Sequence, residues 1–303
     1  MTQSIAYLIS VDYQSTIKKY PQLLDEFNIL RSFFSMHDVS LIQVPWQKHY
    51  INWQLFSCIM PKACWDYVQF PNKFESLLKK VSDINIPMKN NASIVKWNMR
   101  KTYLLDLQKS HLPIGEFTFV PQHSDERYLT NAIKKLNEMN LADNFFIAKP
   151  SIGLGGVDLV KFNLSDVKTH YKSFLKILSY ADLILQPFFP EIIQTGEYSY
   201  IFFNNKFSHA VLKKPKANDF RAHFIYGAKT LFHQPSNEEI DQAFSFISGI
   251  QPQCLYARVD GFRRDNKLFL IELELIEPYL YLEYASKETL RQFCESVIFS
   301  NDH

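Results

Sequence analysis

The stretch YARVDGFRRDNKLFLIELELIEP (residues 256–278) decides how the rest of the chain is read. It has the pattern of two strands joined by a polar turn, with Val259–Phe262 leading in, Arg264-Asp265-Asn266-Lys267 turning, and residues 268–276 alternating on the way out. On that second strand the alternation puts Leu268, Leu270, Glu272, Glu274 and Ile276 on one face and Phe269, Ile271, Leu273 and Leu275 on the other. A loop of three residues (Asp265, Asn266, Lys267) would pair Leu268 with Arg264 and set Glu272 opposite Asp260. Three acids then converge on one face of an apolar hairpin, where an uncompensated charge is costly to bury. Two arrangements answer that cost. A hard divalent cation, Mg²⁺ or Mn²⁺, can sit among the oxygens. Alternatively, the acidic face is half exposed and is neutralised by Arg258 or Arg263.

Composition sets the frame. A chain of 303 residues can bury a large core in two or three lobes, and 47% apolar with 21% charged residues is the balance of a globular protein. A net charge of +2 without a dense basic run argues against a nucleic-acid partner. Cys58, Cys64, Cys254 and Cys294 have no CxxC spacing, so neither zinc nor a disulfide framework is indicated. No apolar run reaches membrane-spanning length, and the opening MTQSIAYLIS lacks the pattern of a signal peptide, so a cytoplasmic location is expected.

From the beginning, residues 4–10 read as a strand, 22–36 as a helix, 39–44 and 55–60 as strands and 71–81 as a helix, the order of a small parallel α/β lobe. Trp65-Asp66-Tyr67 follows a strand end, where open sheets place ligands, although core aromatics have the same pattern. Residues 93–110 read as one helix carrying Arg100-Lys101, 117–120 as a strand and 126–139 as a helix. An apolar strand then ends in Lys149-Pro150, a loop with Ser151, Gly153, Gly155 and Gly156 follows, and a strand starts at Val157. The chain has only 8 glycines, so three within four positions suggest a loop that can fold over phosphates through bare backbone N–H groups. It is not a Walker loop, because no GK[ST] follows. A helix at 166–180, a strand at 183–188, a hairpin turning at Asn204-Asn205, a basic group (Lys213, Lys214, Lys216, Arg221) and helices at 238–248 and 287–297 complete the reading.

In order along the chain, Trp65-Asp66-Tyr67, Lys96-Trp97-Asn98, Lys101-Thr102-Tyr103-Leu104, Ala148-Lys149-Pro150, Gln186-Pro187-Phe188, Gly196-Glu197-Tyr198-Ser199, Phe207-Ser208-His209-Ala210-Val211, Asp219-Phe220-Arg221, Ala257-Arg258-Val259-Asp260 and the acidic strand Glu272–Pro278 resemble the ATP-grasp superfamily. The resemblance is to the branch holding prokaryotic glutathione synthetase and the ligase that closes the cycloserine ring. It implies an α/β (α+β) fold in which an N-terminal parallel lobe (1–92) precedes a central lobe (93–185) and a C-terminal lobe (186–303), the last two clamping ATP. It also implies a carboxylate–amine ligase, working through an acylphosphate on an amino acid or peptide. Carried over residue by residue, Lys101 and Lys149 would hold phosphates under a lid formed by Ser151, Gly153, Gly155 and Gly156. Gln186, Phe188 and Phe189 would meet adenine, and Glu197 the ribose. Asp260, Glu272 and Glu274 would bind Mg²⁺, and Arg221, supported by Lys213, would stand near the γ-phosphate and acyl group. A homodimer is compatible with this picture.

The chain departs from the branch on the substrate side. Ala63-Cys64 replaces Arg-Ser before Trp-Asp-Tyr, with Lys62 just ahead. Gly227-Ala228 stands for paired glycines, and Tyr279 for a Ser after Glu-Pro, with Tyr281 and Tyr284 close behind. A ligase acting on a larger polypeptide and a nucleotide-binding module without turnover stay open as alternatives.

Overall fold

The computed structural model describes residues 3–139 and 144–299. Its twelve strands form three sheets. The first joins β1 (Gln3–Ile9), β2 (Val39–Pro45) and β3 (Cys58–Ala63) in the order β2-β1-β3, all parallel, against the helices Gln22–Ser35 and Pro71–Asp83. The second joins β4 (Thr118–Val120), β5 (Phe145–Pro150), β6 (Val160–Asn163) and β7 (Leu183–Pro187) in the order β4-β7-β5-β6. The third joins β8 (Glu197–Phe203), β9 (Lys206–Lys214), β10 (Lys229–His233), β11 (Tyr256–Arg264) and β12 (Lys267–Glu274) in the order β10-β9-β8-β11-β12.

Pleating decides what each sheet shows to its neighbour. On the second sheet Phe146, Ala148, Phe162 and Leu185 bury into one core with the helices Glu126–Asn137 and Tyr171–Leu178. The opposite face, by alternation, carries Lys149 and the cross-strand set Lys161, Ile147 and Gln186. On the third sheet Tyr200, Phe202, Val259, Leu268, Leu270, Leu273 and Leu275 share a core with the helices Tyr103–Lys109 and Asn237–Ser245. The face away from that core carries Arg258, Asp260, Glu272 and Glu274.

The hairpin β11–β12 corrects the sequence reading twice. Its loop has two residues, not three: Asp265 and Asn266 both take positive φ (50° and 61°), and Arg264 pairs with Lys267. That is the primed turn whose twist matches a hairpin. The missing residue is restored by a bulge at Ile271, so that Gly261 pairs with Leu270 while Asp260 still faces Glu272. The bulge inverts the alternation. Leu268 and Leu270 therefore join Leu273 and Leu275 in the core, instead of sharing the face of the glutamates. Gly261 permits this, because a Cβ there would lie 2.5 Å from the Phe269 carbonyl oxygen and 2.8 Å from Leu268 Cδ1. Gly261→Ala should cost about 3 kcal/mol, an overpacked strand whose nearest clash is with backbone that cannot yield. Urea denaturation measures it, and a loss below about 0.5 kcal/mol would remove the bulge from this account.

Other boundaries also move. The helix expected over 93–110 is two helices, Ala92–Asn98 and Tyr103–Lys109, broken at 99–102. The strand expected at 55–60 runs over Cys58–Ala63, that expected at Val157 begins at Val160, and β10 was not foreseen. The helix expected at 166–180 is a turn, Val167–His170, followed by Tyr171–Leu178. Among the described residues no helix is long and apolar enough to cross a membrane.

Candidate active site

The acidic face of β11–β12 is held in place from behind. As an edge strand, β12 would expose unpaired backbone groups, and buried side chains of the preceding segment satisfy them. Asn98 donates to Leu273 O (2.8 Å) and accepts from Leu275 N (2.9 Å), and Tyr103 Oη accepts from Leu273 N (2.9 Å). Asn90 donates to Tyr256 O and Leu275 O, both at 2.8 Å.

In front of the strand, every acid meets a cation. Asp260, almost fully buried, accepts from Ser199 Oγ (2.6 Å), Arg258 Nη2 (2.8 Å) and Lys213 Nζ (3.1 Å). Arg258 also bonds Glu274, and Lys213 also bonds Glu197. Glu272 Oε1 lies 2.9 Å from Lys101 Nζ. Lys149 is buried close enough for Glu272 and Lys101 to act on it electrostatically. Four carboxylates (Glu197, Asp260, Glu272, Glu274) are thus balanced by four cations (Lys101, Lys149, Lys213, Arg258).

The charges do not settle equally. Burial raises the Asp260 carboxyl, but Arg258 and Lys213 outweigh it and hold it at about 2. Burial pushes Glu274 up to about 8, because it shares Arg258 with Asp260 and stands near Glu272 and Glu277. Glu277 rises to about 7, again chiefly by burial, with Lys62 and Arg258 opposing. Burial also lowers the Lys149 ammonium to about 8, partly offset by Glu272, with Lys101 adding repulsion.

The break at 99–102 is what brings Lys101 here. Lys101 N donates to Ser151 O (2.7 Å) and Lys101 Nζ to Gly153 O (2.8 Å), so the lysine reaches the acids from a helix junction that grips the glycine loop. The root of that loop is fixed. Ser151 is buried and bonded to Asp182 through both its backbone N–H (2.8 Å) and its hydroxyl (3.3 Å), and Ile152 is buried in the core of the first sheet. Gly155 and Gly156 take φ of 58° and 69° and lie against the 221–226 segment, with Ile225 Cδ1 3.5 Å and Tyr226 Cε2 3.4 Å from where a Cβ would stand.

At the other end of the acidic face, Phe262 stacks on Phe269 (5.3 Å between centroids) and Phe189 stacks on Phe262 (4.4 Å). Phe188 carries the Lys161 ammonium 3.5 Å from its ring centre, and Gln186 is buried near the end of β7. Lys161 was not singled out in the sequence, where an isolated lysine in a strand gives no signal.

The structure gives the expected residues particular partners. Arg263 belongs to the other face of the hairpin, where its Nη1 lies 3.1 Å from Glu239 Oε1, so Arg258 alone of the two arginines neutralises the acids. Lys213 is bound to Glu197 and Asp260, whereas Arg221 is held bidentately by Asp219 (2.8 and 3.0 Å) and stacks on the Tyr226 ring at 3.5 Å. Glu197, expected at a ribose, faces Lys213 beside Asp260. Asp66 is a buried hub that accepts from Trp46 Nε1, Gln47 Nε2 (2.6 Å) and Val11 N (3.1 Å), which makes Trp65-Asp66-Tyr67 a core feature of the first sheet.

Among the described residues no three His, Cys, Asp or Glu side chains converge so as to hold a metal by themselves. The chemistry of the acidic face still suits Mg²⁺, since Asp260, Glu272 and Glu274 offer hard oxygens on adjacent strands, the two glutamates only half-buried.

A family model for the N-terminal domain of D-cycloserine synthetase DcsG matches residues 10–90. The cycloserine biosynthesis protein DcsG of Streptomyces lavendulae is 25% identical over 262 residues, covering 81% of this chain and 84% of that protein. The crystal structure of D-cycloserine synthetase DcsG matches with a TM-score of 0.81 at 20% identity, over 97% of this chain and 98% of the other. D-alanine–D-alanine ligase from Bacillus anthracis, complexed with ATP, gives 0.66 at 11% identity over 98% and 96% of the two chains. The ATP-grasp ligase PsnB, complexed with a minimal precursor, gives 0.63 at 13% over 98% and 99%. In sequence the chain is similar to the cycloserine biosynthesis protein DcsG, and its fold is that of D-cycloserine synthetase DcsG and the ATP-grasp ligase PsnB.

Proposed function

We propose that this chain activates the carboxylate of a small amino acid or peptide with ATP and passes the acyl group to an amine, releasing ADP and phosphate. The observation that carries the reading is the Lys101 side chain, which joins the glycine loop of the second sheet to the acidic face of the third. A phosphate-binding set (Lys149, Lys101 and the loop 151–156) meets a paired-acid strand (Asp260, Glu272, Glu274) across the Lys101–Glu272 contact. Phosphoryl transfer needs chiefly positioning and charge neutralisation, which this set of groups supplies.

Within the reading, residues 1–92, 93–185 and 186–303 act as three lobes. Lys101 and Lys149 draw the phosphates in, with the buried Lys149 presenting a charge that water screens little. Gln186, Phe188 and Phe189 receive the adenine, and Glu197 the ribose. Asp260, Glu272 and Glu274 would hold Mg²⁺, which, when bound, neutralises charge on the transferred phosphoryl group. Arg258, fixed by Asp260 and Glu274, presents its guanidinium beside the Tyr281 ring (5.8 Å), where an acyl oxygen carrying developing charge would be stabilised. Arg221 must exchange Asp219 for a substrate or phosphate oxygen. The activity for which DcsG is named, D-cycloserine synthesis, makes closure of a small ring one form of this chemistry. Every charged group the reaction needs is present, which argues against a binding module that has lost turnover.

Screening amino acids and dipeptides for ATP-dependent release of ADP and phosphate tests the reading, and release of AMP and pyrophosphate would overturn it. Lys149→Ala should lower turnover on the order of 10²-fold or more through loss of a phosphate-stabilising charge. Near-normal ATP affinity and turnover in that variant would remove Lys149 from the nucleotide site.

A further inference from the structure

Residues 276–281, which follow the acidic strand, are held by side chains from other parts of the chain to an unusual degree. Tyr256 Oη donates to Ile276 O (2.7 Å), Lys62 Nζ to Pro278 O, and Arg258 Nη1 to Tyr279 O (3.0 Å). Glu26 Oε2 accepts from Leu280 N (2.6 Å), and His209 Nε2 bonds Leu280 O (2.8 Å). The turn they hold ends at Tyr281 with φ 51° and ψ 44°, a left-handed conformation that a bulky residue adopts only when its surroundings impose it. The result is an aromatic wall: Tyr281 against Tyr279 (4.9 Å, 85°), Tyr279 near Phe224 (6.4 Å), and Phe224 against Tyr20 (5.7 Å).

Two of these five partners come from the first sheet and its helix and form one ion pair. Lys62 on β3 and Glu26 on the helix Gln22–Ser35 lie 2.9 Å apart, with side chains 0% and 3% exposed. A buried ion pair is a poor stabiliser, since apolar residues of the same volume would hold two elements together at least as well. What apolar residues could not supply is a donor for Pro278 O and an acceptor for Leu280 N, the two peptide groups that bracket Tyr279.

We propose that the Lys62–Glu26 pair is a positioning device, which sets the Tyr279–Tyr281 turn as the acceptor-side wall of the active site. This rests on the ligase reading above. Lys62 and Glu26 bond each other, Pro278 O and Leu280 N, on the turn and away from Lys101 and Lys149, so the pair acts on the second half-reaction, capture of the acylphosphate by the amine, and leaves activation alone. The two halves are separable with hydroxylamine, a nucleophile too small to need a shaped pocket. Its nitrogen attacks the acyl carbon, the C–O bond to phosphate breaks, and hydroxamate and inorganic phosphate form.

The experiment compares wild type with Lys62→Met/Glu26→Gln, which removes both charges together, using the carboxylate and amine identified by ADP release. The double variant should form hydroxamate within about threefold of wild type with an unchanged KM for ATP, while its KM for the amine rises at least tenfold. Glu26→Asp keeps both charges, shortens one arm by a methylene and should show the same split at smaller size, which covers the case of a double variant that does not fold. Parallel loss of hydroxamate formation and ligation, or loss of neither, would overturn the positioning role alone. A wild-type protein that forms no hydroxamate with any carboxylate would overturn the ligase reading and the clamp with it.

Discussion

Asp260→Asn should lose about 3 kcal/mol of stability together with 10²-fold or more of turnover. The two losses have one origin. Asp260 is the shared partner of Arg258 and Lys213, both buried, and breaking a buried pair leaves charge that the fold cannot return to water. Glu274 and Glu197 retain hold of the two cations, which keeps the cost at the lower end of the usual range. Turnover falls because Arg258 loses the carboxylate that aims it, and a misaimed electrostatic group costs orders of magnitude. Urea unfolding and steady-state ADP release measure the two parts, and a stable, active Asn variant would show that Asp260 does not organise the site.

The same residues fix the pH behaviour of the ligand-free protein. Asp260 is held at about 2, below its unfolded value, so the stability it contributes is present above about pH 4 and is lost as pH falls towards 2. Glu274 and Glu277 lie the other way, at about 8 and about 7. The folded state keeps their protons where the unfolded chain has released them. Their contribution is therefore full below about pH 4.5 and declines as pH rises through 7 and 8. Stability should peak in the mildly acidic range, and Asp260→Asn should flatten the acid limb and make the alkaline one shallower, since the Asp260 charge helps to raise Glu274.

How much of this was legible in the sequence varies by level. The acids, lysines and glycine loop carry short-range patterns that survive translation into structure. The pairing of Asp260 with Glu272 was also read correctly, but through two compensating errors. The loop is one residue shorter than the reading supposed, and the bulge at Ile271 restores the register. A bulge leaves no periodic trace when the run leading into it is apolar at every position, as Leu268-Phe269-Leu270-Ile271 is, so the faces of Leu268 and Leu270 were inverted. The break at 99–102 was illegible for a different reason. Met99-Arg100-Lys101-Thr102 has no glycine or proline, and what bends the chain is tertiary: Ser151 O takes the Lys101 N–H. Charge partnership is likewise a property of the fold. Arg258 and Arg263 look alike in the sequence, yet the odd–even offset between them, with the strand's burial, sends one to the acids and the other to Glu239.

That partnership sharpens the role of Glu272. On sequence grounds, removing its charge relieves repulsion among acids. In the structure Glu272 is the acid nearest Lys101 and lies within electrostatic reach of Lys149, and these two cations hold its carboxyl below the ordinary range against the opposing effect of burial. In the nucleotide site proposed above, Glu272 therefore occupies, before nucleotide arrives, the lysine assigned to a phosphate. Glu272→Gln should lower the melting temperature of the ligand-free protein by several degrees, because Lys101 and Lys149 are left facing each other without an acid between them. Metal-free ATP should bind the variant at least as tightly as it binds wild type, since the competing carboxylate is gone. Mg²⁺ should improve ATP binding to wild type and do little for the variant, whose turnover falls 10²-fold or more. Calorimetric titration of ATP in EDTA and in excess Mg²⁺ reads these outcomes without relying on activity. If Glu272 were only a structural partner of Lys101, the variant would keep the full Mg²⁺ dependence of ATP binding, and its ATP affinity with and without metal would change by the same factor.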